Sequence, residues 1–326
     1  MNIEGKTILI SGGSGSWGQE LTRQLLEQNP AQVRIFSRGE ISQVAMERSF
    51  DDKRLKFVIG DVRDERATDA VMEGVDYVYH LAALKHVPIC ENYPEEAIKT
   101  NVIGTMNLII SAVRNKVKKF VDVSTDKAVA PVNLYGYTKG LGERLSIQAN
   151  CHSLNTDFIC IRGGNVLGTN GSVVPYIINQ IKLGREIYIT DPQMTRFFLT
   201  IQQAIKLLFE ATDLGVGGET FVMNMPSFYL MELIEVLTEY YGHADIKEIG
   251  RREGEKVHEV LIAEGEVDRT RYVDENYFVI YPQVVTGRSY PLRDKADIPA
   301  YGFSSADNIK DKEYLKGLLK LGGWLT

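Results

Sequence analysis

The feature that most restricts the fold is a short β-branched run, Thr7-Ile8-Leu9-Ile10-Ser11, that ends directly in Gly12-Gly13-Ser14-Gly15-Ser16-Trp17-Gly18. Such a continuous apolar run suits a strand buried on both faces of a parallel sheet. Gln19 to Gln28 then reads as a helix with Leu21, Leu25 and Leu26 on one side. Glycines at 12, 15 and 18 give Gly-x-x-Gly-x-x-Gly. The tight turn calls for positive φ, and a backbone without Cβ atoms lets a pyrophosphate approach. The free N–H groups at the helix start point at that anion. A glycine pattern alone is a weak sign, but strand, glycine loop and helix in register supply the confirming context. Gly12, Ser14, Gly15, Ser16, Trp17 and Gly18 are therefore expected to hold a dinucleotide, the plainer reading being a structural turn.

Val33 to Phe36 reads as a second strand, followed by Ser37-Arg38. A site for NAD usually has Asp or Glu there, on the ribose 2′-hydroxyl. A hydroxyl beside a guanidinium suits a 2′-phosphate better, so NADP is favoured and NAD stays open. Leu55 to Ile59 is a third strand, ending in Gly60-Asp61-Val62. Asp61, with Val62, is placed to meet the adenine, or else Asp61 is the N-cap of the acidic segment after it. Val75 to Leu81 is a fourth strand; the small pair Ala82-Ala83 lets backbone lie against a cofactor. Lys85 and His86 follow in a loop. Lys85 suits a phosphate or the neighbourhood of a nicotinamide; His86 is as readily a hydrogen-bonded loop histidine. A long helix from Pro94 to Asn115 carries Asn101 past the site, and Lys119 to Val123 is a fifth strand.

Strands alternating with helices at this spacing predict an α/β fold, a Rossmann-type doubly wound parallel sheet, with a smaller C-terminal α/β substrate domain. The expected division is 1–165 for the dinucleotide and 166–326 for the substrate, with some chain crossing back. Ligands then gather at the carboxyl ends of the strands.

The fifth strand delivers the densest chemistry: Ser124-Thr125-Asp126-Lys127, then Tyr135-Gly136-Tyr137-Thr138-Lys139. If Leu134 onward is helical, Tyr135 and Lys139 share a face one turn apart. An ammonium there favours the phenolate and lowers the tyrosine pKa from its ordinary value of about 10. Such a tyrosine takes a proton from a hydroxyl while hydride leaves for a nicotinamide. Taken alone, Tyr-x-x-x-Lys is most simply an amphipathic helix.

Phe158 to Arg162 reads as a sixth strand, followed by Gly163-Gly164-Asn165. Gly171-Ser172-Val173-Val174-Pro175 opens a helix through Ile181, a second anion-holding N-terminus. Ile201 to Thr212 and Met231 to Tyr241 are apolar-periodic core helices. From Val267 onward the pattern is irregular and tyrosine-rich, and it is expected to wrap the substrate domain.

A net charge of −6 with no basic block argues against nucleic acid as a partner. No run reaches the length of a membrane span. The N-terminus runs straight into the strand pattern without a signal peptide, and Cys90, Cys151 and Cys160 lack metal-type spacing. Reduced thiols, a cytoplasmic location and no metal are expected.

These segments resemble the extended short-chain dehydrogenase/reductase superfamily. Within it they resemble the soluble nucleotide-sugar dehydratases related to configuration-inverting UDP-N-acetylglucosamine 4,6-dehydratases. The carriers are Ser11 to Gly18, His80-Leu81-Ala82-Ala83-Leu84-Lys85-His86-Val87-Pro88, Ser124 to Lys127, Asn133 to Lys139 and Met194-Thr195-Arg196-Phe197-Phe198. Configuration-retaining relatives usually carry Asp-Glu where this chain has Asp126-Lys127. Two departures are Tyr137, where the family often has alanine, and Arg252-Glu253, which replaces a usual proline before Gly254-Glu255-Lys256. Tyr137 is expected to reshape the pocket.

The resemblance implies a recycled NADP and a UDP-sugar substrate in a homo-oligomer. By resemblance Thr125, Asp126, Lys127, Tyr135 and Lys139 are catalytic. Tyr135 accepts the 4-hydroxyl proton, Lys127 is the base at C5, and Asp126 is the acid that helps the 6-hydroxyl leave. Lys85, Asn165, Val173, Val174, Arg196, Lys256 and Glu259 are expected at the nucleotide-sugar, with Arg196 near the diphosphate. Water leaves across C5–C6, and hydride return to C6 with C5 inversion gives a 4-keto-6-deoxy sugar. Hydride return to C4 gives a 5,6-unsaturated sugar instead. A UDP-sugar 4-epimerase has no need of Asp126-Lys127. A non-catalytic NADP-binding protein has no need of Tyr135, and a plain reductase would consume NADPH.

Overall fold

A computed structural model gives the fold and describes residues 2–169 and 171–325. The first half alternates as the apolar runs demand: β1 (Thr7–Ser11), α1 (Ser16–Leu26), β2 (Gln32–Ser37), α2 (Glu40–Phe50), β3 (Leu55–Ile59), α3 (Glu65–Met72) and β4 (Tyr77–His80). Two short helices follow, α4 (Val87–Asn92) and α5 (Pro94–Ile98). A π-helical turn, Lys99–Ile103, runs on into α6 (Gly104–Arg114). Then come β5 (Lys119–Thr125), a 3₁₀ turn at Asp126–Ala128, α7 (Leu134–Ala149) and β6 (Asp157–Gly163).

The second half continues with β7 (Asn165–Val166), α8 (Val173–Lys182), β8 (Ile187–Ile189), β9 (Thr195–Leu199), α9 (Ile201–Leu214) and β10 (Thr220–Met223). After these come β11 (Ser227–Tyr229), α10 (Leu230–Tyr241), β12 (Ile246–Glu248), β13 (Val260–Ala263), β14 (Thr270–Tyr272), β15 (Tyr277–Ile280), β16 (Gly302–Ser304) and α11 (Lys312–Leu321).

Among the described residues the main sheet runs β14-β15-β10-β6-β5-β4-β1-β2-β3. It is parallel from β3 to β10 and antiparallel at β15 and β14. This is the expected doubly wound α/β sheet, and its order reverses between β1 and β4, where such folds open a crevice. The tyrosine-rich tail departs from expectation. β15 extends the main sheet with Tyr277 to Ile280 buried beside β10, and β14 pairs with β15 at its edge. β16 pairs with β13, and α11 buries Leu315, Leu318 and Leu319 against the cluster of α8 and α10, as expected.

The sequence pattern does not announce α4, since a six-residue helix with Pro88 in its first turn is too short to show a period. The helix expected over Pro94 to Asn115 runs unbroken, with the π turn inside it. Phe120 shows what fixes β5 in the sheet. It is fully buried between His80 and Phe158, at ring distances of 5.9 and 5.3 Å, and its burial contributes about 1.5–3 kcal/mol.

Candidate active site

The carboxyl ends of β1, β2, β4, β5 and β6 open into a cavity of about 960 Å³, lined on the far side by Gly163 to Leu167, Thr169 and Gly171 to Val174. The glycines of the first turn divide the work. Gly12 has φ of +71°, and a Cβ there would sit 2.8 Å from the Ala82 backbone. A Cβ on Gly18 would sit 2.2 Å from the Gly13 carbonyl oxygen, so α1 packs on its own loop only without one. Gly15 is the N-cap of α1 with no side-chain cap bond, and Gly15, Ser16 and Trp17 line the cavity. A strand-end turn that excludes Cβ atoms, beneath the N-terminus of an eleven-residue helix, fits a dinucleotide pyrophosphate.

Ser37, Arg38, Asp61, Val62, Ala82, Ala83 and Lys85 also line the cavity. Asp61 pairs with Arg63 at 2.6 Å and lies 3.9 Å from Arg38. The N-cap of α3 is Asp64, so Asp61 is not that cap. Burial lowers the Lys85 pKa. His86 lines the cavity and abuts Gly171, where a Cβ would meet its ring at 2.7 Å.

Two expected contacts are indirect. The Ser14 hydroxyl sits 2.9 Å from that of Ser37, behind the lining, and Gln43 donates to Ser37 Oγ at 2.9 Å. Asn101 is fully buried. Its Oδ1 accepts from the Leu84 N–H at 2.8 Å, and its Nδ2 donates to the Leu84 carbonyl at 2.9 Å and to Thr138 Oγ1 at 3.0 Å. Asn101 therefore shapes the Ala83–Lys85 loop and does not face the cavity.

The catalytic stretch is assembled by β5, the 3₁₀ turn and α7. Asn133 caps α7, accepting from the Gly136 N–H at 2.8 Å. A Cβ on Gly136 would lie 2.2 Å from the Lys127 carbonyl oxygen, so the Tyr-Gly-Tyr glycine lets α7 lie against the 3₁₀ turn. Thr125, Lys127, Tyr135 and Lys139 line the cavity together. Thr125 Oγ1 donates to Asp126 Oδ1 at 2.9 Å, and Lys127 Nζ donates to the same oxygen at 3.1 Å. Asp126 is fully buried and its Oδ2 has no hydrogen-bond partner. Burial raises its pKa, outweighing Lys127.

Tyr135 corrects an expectation. Its pKa is raised: burial outweighs Lys139, Lys127 and the Thr125 hydroxyl, although part of the side chain opens onto the cavity. Lys139 does not serve Tyr135 alone, because its Nζ pairs at 3.2 Å with Asp122. Burial alone would lower the Lys139 pKa, but Asp122 and Tyr135 raise it. Asp122 also accepts from Ser146 at 3.3 Å.

Asn165, Val173 and Val174 line the cavity, and Arg196, Lys256 and Glu259 stand outside its lining. Arg196 Nη1 is committed to the carbonyls of Thr195, at 2.7 Å, and Val257, at 3.0 Å. Lys256 donates to the Val129 carbonyl at 2.6 Å. Glu259 is buried against Lys127, with 3.2 Å between Oε1 and Nζ. The three form a charged cluster behind Lys127 and outside the lining. Tyr137 is 54% exposed and absent from the lining. It follows Tyr135 by two residues, which places it on another face of α7, so it does not reshape the pocket.

Asp122 is a part of the site that the motifs did not single out, and His80, though it opens one of them, was given no role. His80 joins Ser11 Oγ, at 2.7 Å, to Thr105 Oγ1, at 2.9 Å, across the β1–β4 switch point. Burial lowers its pKa to about 4, so the ring is neutral. A carboxylate inside the apolar run Phe120-Val121-Asp122-Val123 was the available signal, since a buried charge needs a partner.

A family model described as polysaccharide biosynthesis protein matches residues 8–281, and the chain belongs to that family. A protein of Methanocaldococcus jannaschii named as an uncharacterized membrane protein is 43% identical over 325 residues, 97% of this chain and 95% of that one. The UDP-glucose 4-epimerase of Rickettsia canadensis is 42% identical over 279 residues, 83% and 82% of the two chains. The X-ray structure of Pen from Bacillus thuringiensis superposes with a TM-score of 0.93 at 37% identity and covers 100% of both chains. DesIV from Streptomyces venezuelae, a dTDP-glucose 4,6-dehydratase with NAD and TYD bound, shares the fold at a TM-score of 0.70 and 24% identity, over 77% of this chain and 86% of that one. No helix among the described residues is long and apolar enough to cross a membrane.

Proposed function

We propose that the protein is an NADP-dependent UDP-N-acetylglucosamine dehydratase that oxidises C4, removes water across C5–C6 and inverts C5. The observation that carries this reading is one cavity wall holding Thr125, Tyr135 and Lys139 beside the Asp126–Lys127 pair. NADP, when bound, supplies reversible hydride acceptance. Ser37 and Arg38 at the cavity favour it over NAD.

Tyr135 takes the 4-hydroxyl proton, with Lys139 and Thr125 stabilising the phenolate. The resulting 4-ketone acidifies the C5 proton, which goes to Lys127. Asp126, whose pKa burial raises, protonates the departing 6-hydroxyl. The Lys127 pKa is raised as well, by Asp126 and Glu259, so Lys127 must give up its proton before it serves as the base. Lys127→Ala tests the assignment: the variant folds and retains NADP but no longer eliminates water. Full activity in that variant removes Lys127 from the mechanism.

A second reading is a UDP-sugar 4-epimerase, favoured by the names of the Rickettsia relatives. It leaves the buried Asp126–Lys127 pair without a task. The 5,6-unsaturated product is the alternative ending of the dehydratase reading. We place the dinucleotide in residues 1–165 and the nucleotide-sugar mainly in 166–326. The chain functions as a homo-oligomer, a reading supported by exposed apolar side chains on neighbouring helices, Ile98, Met106, Tyr137 and Leu141. The free cysteines support a cytoplasmic setting.

A further inference from the structure

Lys127 has two carboxylates and one task. Its Nζ lies 3.1 Å from Asp126 Oδ1 and 3.2 Å from Glu259 Oε1. Asp126 belongs to the same turn and needs no explanation beyond the motif. Glu259 comes from a segment far along the chain, and it reaches Lys127 because that segment is fastened to the catalytic loop. Asn133 Nδ2 donates to the Gly254 carbonyl at 2.8 Å, and Lys256 Nζ donates to the Val129 carbonyl at 2.6 Å. The main chain of Glu259 is pinned from the other side. Its N–H donates to Ser305 Oγ at 2.9 Å, and its carbonyl accepts from the Ser305 N–H at 2.8 Å. The Ser305 hydroxyl lies 2.6 Å from Thr195 Oγ1, which meets His258 Nδ1 at 2.8 Å. The main chain that carries the carboxylate is thus held on both sides beside Lys127.

We propose that Glu259 is a positioning residue for Lys127: its carboxylate holds Nζ at the cavity wall and sets the pH at which Lys127 loses its proton. This rests on the dehydratase reading, in which the Lys127 amine takes the C5 proton and becomes an ammonium. Glu259 touches neither the cavity nor the reacting atoms. It stabilises the ammonium that forms when the proton arrives, while opposing the deprotonation that precedes it.

Glu259 shares the Lys127 ammonium with Asp126, and Asp126 raises the Lys127 pKa more than Glu259 does. Burial raises the pKa of Asp126 itself. Tyr135 is favoured as the neutral phenol. Arg196, 3.8 Å from Glu259, and Lys256, 3.9 Å from it, oppose a charge on Lys127. Burial also disfavours that charge, yet the two carboxylates hold the Lys127 pKa well above the ordinary lysine value. One oxygen of Glu259, Oε2, is buried without a hydrogen-bond partner. The carboxylate is thus not saturated by its neighbours.

Removing an opposite charge within about 4–6 Å lowers an amine pKa by about one to three units. E259Q should move the acid-side limb of the kcat/KM profile down by that amount. The sign follows from the role: a base works when unprotonated, and Lys127 then loses its proton at lower pH. Plateau kcat falls, because a weaker base accepts the C5 proton less readily. KM changes little, because Glu259 does not line the cavity. E259D keeps the charge and leaves the limb near its wild-type place. A merely structural role predicts lost activity in E259Q with the limb unmoved.

The direct test is a 13Cε-lysine NMR titration of the substrate-free protein, with K127A used to assign the Lys127 signal. In wild type the signal stays at its ammonium position through about pH 10, the ordinary lysine value; in E259Q it begins to titrate below that. An unchanged titration in folded E259Q overturns the proposal. Should E259Q fail to fold, wild type decides, and a Lys127 that titrates below the ordinary lysine value overturns it. A shifted titration alongside a wild-type protein that eliminates no water leaves the Glu259–Lys127 coupling standing and sinks the dehydratase reading.

Discussion

Asp122→Asn is the perturbation whose size the structure fixes best. Asp122 is fully buried, Lys139 is 2% exposed, and their charged atoms lie 3.2 Å apart. Two unit charges at that distance attract by about 5 kcal/mol at an effective dielectric of about 20. Breaking a buried pair from one side costs about 3–5 kcal/mol, because the other charge is left without a partner. Asparagine keeps the shape, and its amide still meets Ser146. The loss is therefore set at the lower end, about 3 kcal/mol. The Lys139 pKa is raised above 10.5 in the folded chain. Its share of stability is therefore fully present below that pH and is lost as pH rises through the folded value. Urea unfolding near pH 7 reads the full effect. The activity profile supplies a second reading. With Asp122 neutral, the ammonium acts on Tyr135 undivided, the phenol pKa falls, and the tyrosine limb moves to lower pH. A loss below about 1 kcal/mol, the range of an exposed pair, would refute the claim that this pair is sealed from solvent.

Other substitutions probe the remaining parts of the cavity. Gly18→Ala places a Cβ 2.2 Å from the Gly13 carbonyl oxygen, so the purified variant should carry little bound nicotinamide and melt at a lower temperature. Asp126→Asn removes the acid proton without changing the shape; turnover should fall by about 10²–10⁴-fold with thermal unfolding nearly unchanged. Because burial raises the Asp126 pKa, the acid limb of wild-type turnover should fall away above the ordinary carboxylate range. Arg38→Ala leaves NAD binding nearly intact and weakens NADP binding by about ten-fold, equivalent to about 1.4 kcal/mol, as titration calorimetry on cofactor-stripped protein would show.

The sheet was legible because its inner strands β1, β4, β5 and β6 are mostly buried and read as short, largely apolar runs. The Tyr135–Lys139 spacing was legible for the same local reason, since one helical turn fixes it. What escaped was long-range. Asp122 meets Lys139 only after α7 packs on β5, and Glu259 meets Lys127 only after the 254–259 segment folds back across the catalytic loop. Arg196 looked like a phosphate ligand by type, and its type says nothing of the backbone carbonyls of Thr195 and Val257 to which its Nη1 donates. The direction of the Tyr135 shift was missed for a related reason. Spacing reveals the neighbouring ammonium but not the burial that outweighs it. β14 and β15 escaped because they are short and join the sheet edge antiparallel, guided by β10 and not by a local period.

The central claim is dehydration by a recycled cofactor. Its most direct test is to incubate the purified protein with UDP-N-acetylglucosamine in deuterated water, with no nicotinamide added, and to follow product mass and proton NMR. Loss of one water, a new C6 methyl signal and deuterium at C5 are the predicted result. Vinyl protons without a methyl signal would keep the elimination and move the hydride return to C4. An unchanged mass with an inverted C4 would contradict the account and assign the cavity to epimerisation.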